Sequence, residues 1–290
     1  MTDNSRTLIT VPFQHGKALG LDTIVATPTG WTTIGALQPG DRVFGADGLP
    51  CNVVVVSEVW KDRPVFYVWT DDGDEIIADE EHEWLVQLDA KVRPKLKTTG
   101  YLANRELECK WASIRAPIVT ATRPLVLPDA SLPIDPYVLG AWIGDGNTDS
   151  STITNMDQEV IDEIAKHEGE PHRTGNPDAK AGRYRFGLSI RDWFGPDKAD
   201  TLQGRLRSLG VLGNKHIPTG YMRASVNQRK RLLQGLVDTD GHVAPDGQVE
   251  LCTVLPILAI QYKELVASLG HKASIIVGEA MCNGKNCGLK

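Results

Sequence analysis

What this 290-residue sequence lacks sets its first limits. No run of 18 apolar residues occurs, and the stretch from Met1 to Lys17 has no long apolar core, which argues against a membrane span and against secretion. Cysteine is scarce and odd in number. Cys51, Cys109, Cys252, Cys282 and Cys287 are scattered along the chain, which fits reduced thiols better than a disulfide framework, so a cytoplasmic setting is expected. An excess of positive charge is missing as well. With 31 Lys and Arg against 37 Asp and Glu the formal net charge is −6, so a generically basic nucleic-acid binder is excluded and any DNA-facing surface must be a local patch. Hydrophobic residues make up 41%, enough for buried cores, and the length allows about two domains.

Residues 18–90 read as short β-type stretches separated by turns, an all-β segment. Turns are supplied by Pro28 to Gly30, Pro39 to Asp41 and Asp47-Gly48, and the β-branched run Val53 to Val56 suits a strand buried on both faces. Residues 91–123 differ. They carry eight basic side chains, among them Lys91, Arg93, Lys95 and Lys97, against only Glu106 and Glu108. In an acidic chain this segment, 91–129, is either a phosphate-facing DNA contact or a solvated linker.

Beyond residue 130 helices alternate with strands, an α+β pattern. Helices are expected around Ile134 to Gly146, Val160 to Ala165, Leu202 to Gly210, Leu232 to Val237 and Pro256 to Gly270. Strands are expected at YRFGLSI, VELCT and ASIIV. Two of these helices share a frame: VLGAWIGDG (138–146) lies over LQGLVDTDG (233–241), so that Gly140 matches Gly235, Gly144 matches Thr239 and Asp145 matches Asp240. Small residues four apart on one face allow two backbones to approach closely. Each aspartate ends its helix just before a glycine suited to a left-handed cap, at the negative end of the helix dipole, where a carboxylate asks for a compensating cation. A divalent metal shared by two such carboxylates can activate water and stabilise the leaving oxygen of a phosphodiester.

The paired segments resemble the motifs of LAGLIDADG (DOD-type) homing endonucleases. The block Asn214-Lys-His-Ile-Pro218 before the second motif is similar to the family's lysine-bearing block, and VELCT with the helix after it resembles the family's following strand and helix. The resemblance covers residues 130–290. It implies Asp145 and Asp240 as catalytic metal ligands for Mg²⁺ or Mn²⁺, Lys215 as the lysine near the scissile phosphate, and double-stranded DNA as the partner of a monomer with two pseudo-symmetric halves.

Residues 18–90 resemble the N-terminal part of an intein, the Hint fold, through LDTIVATPTGW (21–31), IGALQPGD (34–41) and ADEEH (78–82). Splicing inteins usually start with a nucleophilic Cys or Ser; here that place is Ala18, which cannot act as a nucleophile. A minority class lacks that residue and carries a tryptophan two residues after its histidine, as Trp84 stands after His82. The resemblance then implies that His82 polarises or protonates the peptide group of the Lys17–Ala18 splice junction, with Asp79 where threonine is usual. The family's C-terminal splicing blocks are not found: Lys285 precedes Asn286-Cys287 where histidine is expected, and Cys252 falls in an endonuclease strand. The chain therefore reads as a truncated element.

Residues 1–17 are in this reading the remnant of a host protein. TLITV followed by Pro12 to Lys17 resembles the start of the phosphate loop of phage terminase large subunits, with Ala18 where the loop's Ser or Thr belongs. Three functions follow as expectations: a metal-dependent DNA endonuclease cutting a long asymmetric site, a protein-splicing element, and a remnant that binds DNA without turnover.

Overall fold

The computed structural model describes residues 18–88, 91–108, 118–119, 122–186, 200–282 and 285–289. They divide into two compact units, one formed by the described residues up to Val126 with Val266–Ile275, the other by Leu127–Leu265 with the described residues from Ile276.

From residue 18 to 88 the first unit holds seven strands and no α-helix, as the alternation of short apolar stretches and turns requires. Ile24–Thr27 (β1) and Gly30–Thr33 (β2) form a hairpin across Pro28-Thr29, with Thr27 Oγ1 accepting from the Gly30 N–H at 3.1 Å. Arg42–Phe44 (β3) pairs with Pro50–Asn52 (β4) around Asp47-Gly48. Gly48 is required twice over: its φ is +78°, and a Cβ there would lie 2.1 Å from the Pro124 carbonyl oxygen. Val65–Trp69 (β5) and Glu75–Asp79 (β6) make a third hairpin. Glu83–Gln87 (β7) is the middle strand of a sheet with Lys95–Thr98 (β8) and Ile118–Val119 (β9), and Thr99–Glu108 (α1) follows β8 directly. The basic stretch is therefore no separate linker where it is described: β8 is hydrogen-bonded to β7, and Leu102 of α1 packs on the small core of Leu19, Ala78, Trp84 and Val86.

The run Val53 to Val56 departs from expectation. Val53 exchanges hydrogen bonds with the Gly40–Asp41 turn, but the residues after it form no strand, and Val54 and Val55 are 63% and 77% exposed. β-branched side chains favour an extended chain only where a neighbouring strand accepts the ladder, and among the described residues none is offered here.

The second unit opens with Pro136–Asp145 (α2), capped by Asp135, whose carboxylate accepts from the Tyr137 N–H at 2.9 Å with Pro136 in the first turn. Ile153–Asn155 (β10) and Gln158–Glu168 (α3) follow, then Pro171–Thr174 (β11) and Gly182–Phe186 (β12), in the sheet order β10-β12-β11. Of the YRFGLSI strand, residues 187–190 lie outside the described set. After Leu202–Ser208 (α4) and Thr219–Met222 (α5), Val226–Asp240 (α6) begins with a capping box between Ser225 and Gln228. Gly241–Val243 (β13) pairs with Val249–Leu251 (β14), Pro256–Ser268 (α7) follows, and Glu279–Cys282 (β15) pairs with Lys285–Leu289 (β16). The strand expected at ASIIV is not formed; among the described residues none pairs with Ile276 or Val277, which are exposed, and regular pairing begins at Glu279. Helix α2 is buried along almost its whole length, with Val138, Leu139, Ala141 and Trp142 at 0% exposure, because its sequence is apolar on every face.

Candidate functional sites

Each unit contains one of the two sites read from the sequence. In the second unit α2 and α6 pack backbone to backbone. A Cβ on Gly140 would lie 2.3 Å from the Leu232 carbonyl oxygen, and one on Gly235 would lie 2.2 Å from that of Tyr137. Four residues on, a Cβ at Gly144 would lie 2.1 Å from Thr239 Oγ1 and 3.4 Å from the Asp240 carboxyl carbon, while Thr239 donates to the Gly235 carbonyl at 2.8 Å. The small residues thus bring the C-terminal ends of both helices together, and with them Asp145 and Asp240.

Burial, and next the charge of Asp240, push the Asp145 carboxyl up to about 6, against the hydrogen bond from Asn155 Nδ2 (2.6 Å) and the charge of Lys215. Asp240 is also raised, by burial, with Lys215 opposing. Lys215 stands in the loop before α5 and donates to the carbonyls of Ile143 (2.8 Å) and Gly144 (3.2 Å), two of the unpaired acceptors at the end of α2. Burial lowers its ammonium while Asp240 and Asp145 raise it. The loop is pinned by Gln261 of α7, whose amide accepts from the Ile217 N–H at 2.7 Å and donates to the Ile217 carbonyl at 2.9 Å.

The glycines after the two aspartates are not left-handed caps. Gly146 has φ −73°, ψ 147° and Gly241 has φ −89°, ψ 150°, both extended. They are glycine for lack of space: a Cβ on Gly146 would meet the Trp142 oxygen at 2.2 Å, and one on Gly241 the Val237 oxygen at 2.3 Å. Each chain turns straight from helix into strand pairing, Gly146 with Ile153 and Gly241 with Leu251.

In the first unit Ala18 to Gly20 run along the end of β6. The Asp79 N–H donates to the Ala18 carbonyl at 3.0 Å, Leu19 bridges Ala78, and the Gly20 N–H donates to Ile77 at 2.9 Å. The chain then turns, the His82 N–H donating to the Asp79 carbonyl at 3.2 Å. Asp79 is 1% exposed and its carboxylate faces Arg63, Nε to Oδ2 at 3.0 Å; Arg63 also reaches Glu81 at 2.8 Å and lies over the Trp60 ring. His82 and Trp84 are both buried, ring centroids 4.8 Å apart and planes at 70°. The Trp84 Nε1–H donates to Thr99 Oγ1 at 2.9 Å. Four of the residues assigned to the splicing chemistry, Ala18, Asp79, His82 and Trp84, therefore converge; Lys17 lies outside the described residues.

Lys91, Arg93 and Lys95 are exposed in the first unit, and Lys97, two residues from Lys95 on the same face of β8, lies with Nζ 3.9 Å from the centroid of the Tyr101 ring. Among the described residues no three His, Cys, Asp or Glu side chains cluster as a metal site, and no helix is long and apolar enough to cross a membrane. Three contributors escaped sequence reasoning. Arg63 had a signal, since it precedes Val65–Trp69 and the turn at Asp72-Gly73 folds the next strand back on that one, a local hairpin that brings Arg63 beside residues 79 and 81. Asn155 and Thr99 had none.

No family model matches the chain. Its sequence is similar to the replicative DNA helicase DnaB of Mycobacterium intracellulare, 39% identical over 276 residues, covering 89% of this chain and 43% of the relative. The corresponding protein of Mycobacterium leprae (strain TN) is 45% identical over 69 residues, 24% of this chain and 11% of that protein. Among solved structures, the MchDnaB-1 intein is 40% identical over 29% of this chain and 59% of its own, with a TM-score of 0.26. The Msm DnaB1 intein splicing domain bound with zinc is likewise 40% identical, over 28% of this chain and 67% of its own, with a TM-score of 0.24. The chain is thus similar in sequence to intein splicing domains over a little more than a quarter of its length, and it spans less than half the length of the curated relatives it matches.

Proposed function

We propose that this chain is an intein element whose first unit carries protein-splicing chemistry and whose second unit is a LAGLIDADG-type DNA endonuclease. The splicing reading rests on one observation above all: the carbonyl of Ala18 is held by the Asp79 N–H at the turn that leads into the buried His82–Trp84 pair. The 40% identity to intein domains supports it. In this reading the Lys17–Ala18 amide passes its acyl group to a nucleophile outside the described residues, while His82 protonates the departing Ala18 nitrogen. The test is expression of the chain in its natural reading frame with mass spectrometry of the junction. Scission that disappears in His82→Ala supports the reading, and an intact junction in both proteins overturns it.

The endonuclease reading rests on the close approach of Gly140 and Gly235, which delivers Asp145 and Asp240 to one place. Two carboxylates raised by burial and close enough for the charge of Asp240 to raise Asp145 fit a hard divalent cation such as Mg²⁺ or Mn²⁺, the remaining positions falling to water and phosphate oxygens. The chemistry such a cation supplies is activation of water and stabilisation of the leaving oxygen. Asp145 and Asp240 would hold it, Asn155 orients Asp145, and Lys215 keeps positive charge beside the scissile phosphate. A duplex joining the coding sequences on either side of the element is the substrate to test with Mg²⁺. Double-strand scission supports the reading, and retention without scission favours a DNA-binding remnant. The phosphate-loop reading of residues 1–17 lies outside the described residues and rests on the sequence.

A further inference from the structure

The hydroxyl of Thr99 joins the two aromatic residues of the splicing site. It accepts from the Trp84 indole at 2.9 Å and donates to the His82 carbonyl at 3.2 Å, and the Thr99 N–H donates to that same carbonyl at 2.9 Å. Thr99 is 3% exposed, so no water competes for these bonds. A threonine at the start of a helix ordinarily accepts from the N–H groups of its own first turn. Here that task falls to Thr98, whose Oγ1 accepts from the Tyr101 N–H at 3.2 Å, which leaves the Thr99 hydroxyl to Trp84 and His82. With its acceptor and donor directions both used, the hydroxyl fixes the Trp84 ring, and that ring stands edge-on to the His82 imidazole at 4.8 Å.

We infer that Thr99 is a positioning residue for the junction chemistry, setting the orientation of His82 through its peptide carbonyl and through Trp84. The inference rests on the splicing reading of the first unit. It places a determinant of that site in a stretch whose charges alone suggested a nucleic-acid contact, and it assigns α1 the role of carrying that residue.

The experiment uses the chain in its natural reading frame, following scission at Lys17–Ala18 by mass spectrometry and the Trp84 indole and His82 ring resonances by NMR. Thr99→Val keeps the shape and removes the hydroxyl; Thr99→Ser keeps the hydroxyl. Valine is expected to slow scission about tenfold and to move the His82 resonances, with serine restoring both and melting temperatures staying within a few degrees. Should Thr99→Val not fold, Thr99→Ala, which also removes the hydroxyl and keeps the Trp84 ring, is expected to move the His82 resonances in its place. A wild-type rate in Thr99→Val with unmoved His82 resonances overturns the inference. If the wild type leaves the junction intact, the splicing reading fails by itself, and the resonances alone then decide whether Thr99 positions His82: movement upholds it, none overturns it.

Discussion

Gly140 and Gly235 meet across α2 and α6 with no side chain between them, each facing a carbonyl of the opposite helix at a distance that forbids a Cβ. Either one changed to alanine forces the helices apart, because the atoms in the way are backbone. Gly140→Ala or Gly235→Ala should destabilise the second unit by about 3 kcal/mol, read as a lowered midpoint in denaturant.

The same approach joins two carboxylates, and its electrostatic consequence has a sign. Asp145 is raised to about 6 by burial first and Asp240 second, so the folded state favours its protonated form. That stability is fully present below the ordinary aspartate range and is lost as pH rises through about 6. Without divalent metal, Asp145→Asn should melt higher than wild type at pH 7.5, by on the order of 1 kcal/mol given the partial exposure of the group, and the difference should vanish near pH 3.5.

Added Mg²⁺ should reverse that order. If the proposed site holds the cation, the wild type should gain stability with metal while Asp145→Asn and Asp240→Asn gain little, which a thermal melt against metal concentration measures. In a cleavage assay both variants should lose double-strand cutting while a gel shift shows DNA binding largely kept. Retained cutting by either would remove that residue from the proposed metal site.

Asp79 gives a prediction in the first unit. Its carboxylate is buried and its cation is Arg63, 3.0 Å away. Arg63→Ala should lower the melting temperature, and Asp79→Asn in the same background should recover part of the loss by removing the unpaired charge. No recovery would mean that Arg63 acts through Trp60 or Glu81 instead.

The basic segment is tested by salt. Replacing Lys91, Arg93, Lys95 and Lys97 with neutral residues should flatten the log-log dependence of DNA affinity on salt, by roughly one unit for each phosphate that these side chains neutralise. An unchanged slope would leave them as a solvated edge of the first unit.

The helix pair could be read from the sequence because its information is local and repeated: small residue, small residue and aspartate recur in one frame, and the structure places them as the frame requires. Conformation within that frame could not be read. Gly146 and Gly241 look like left-handed caps in one dimension and are extended because the preceding helical turn occupies the space of a side chain. Val53 to Val56 misled for the opposite reason, since propensity is local and a ladder partner is not. Asn155 and Thr99 stayed hidden because their roles are made by strand pairing: β10 brings Asn155 to Asp145, and β8 against β7 brings Thr99 to His82 and Trp84.

The backbone bond from the Leu125 N–H to the Ser268 carbonyl, 2.9 Å, ties together two parts of the first unit that are separated by most of the second unit's sequence. In terms of chain connectivity, the first unit has two adjacent ends where the covalent path between them is long. Lys272 pairs with Asp71, and Gly270 lies where a Cβ would touch Thr122 and Pro124, so Val266–Ile275 is part of its wall rather than a tail. A polypeptide cut after Val126 would therefore lose structure it needs. One in which a short flexible linker runs from Val126 to Val266 would keep both sides of that wall while omitting the intervening residues, since Leu125 and Ser268, just inside those ends, are already joined by a hydrogen bond.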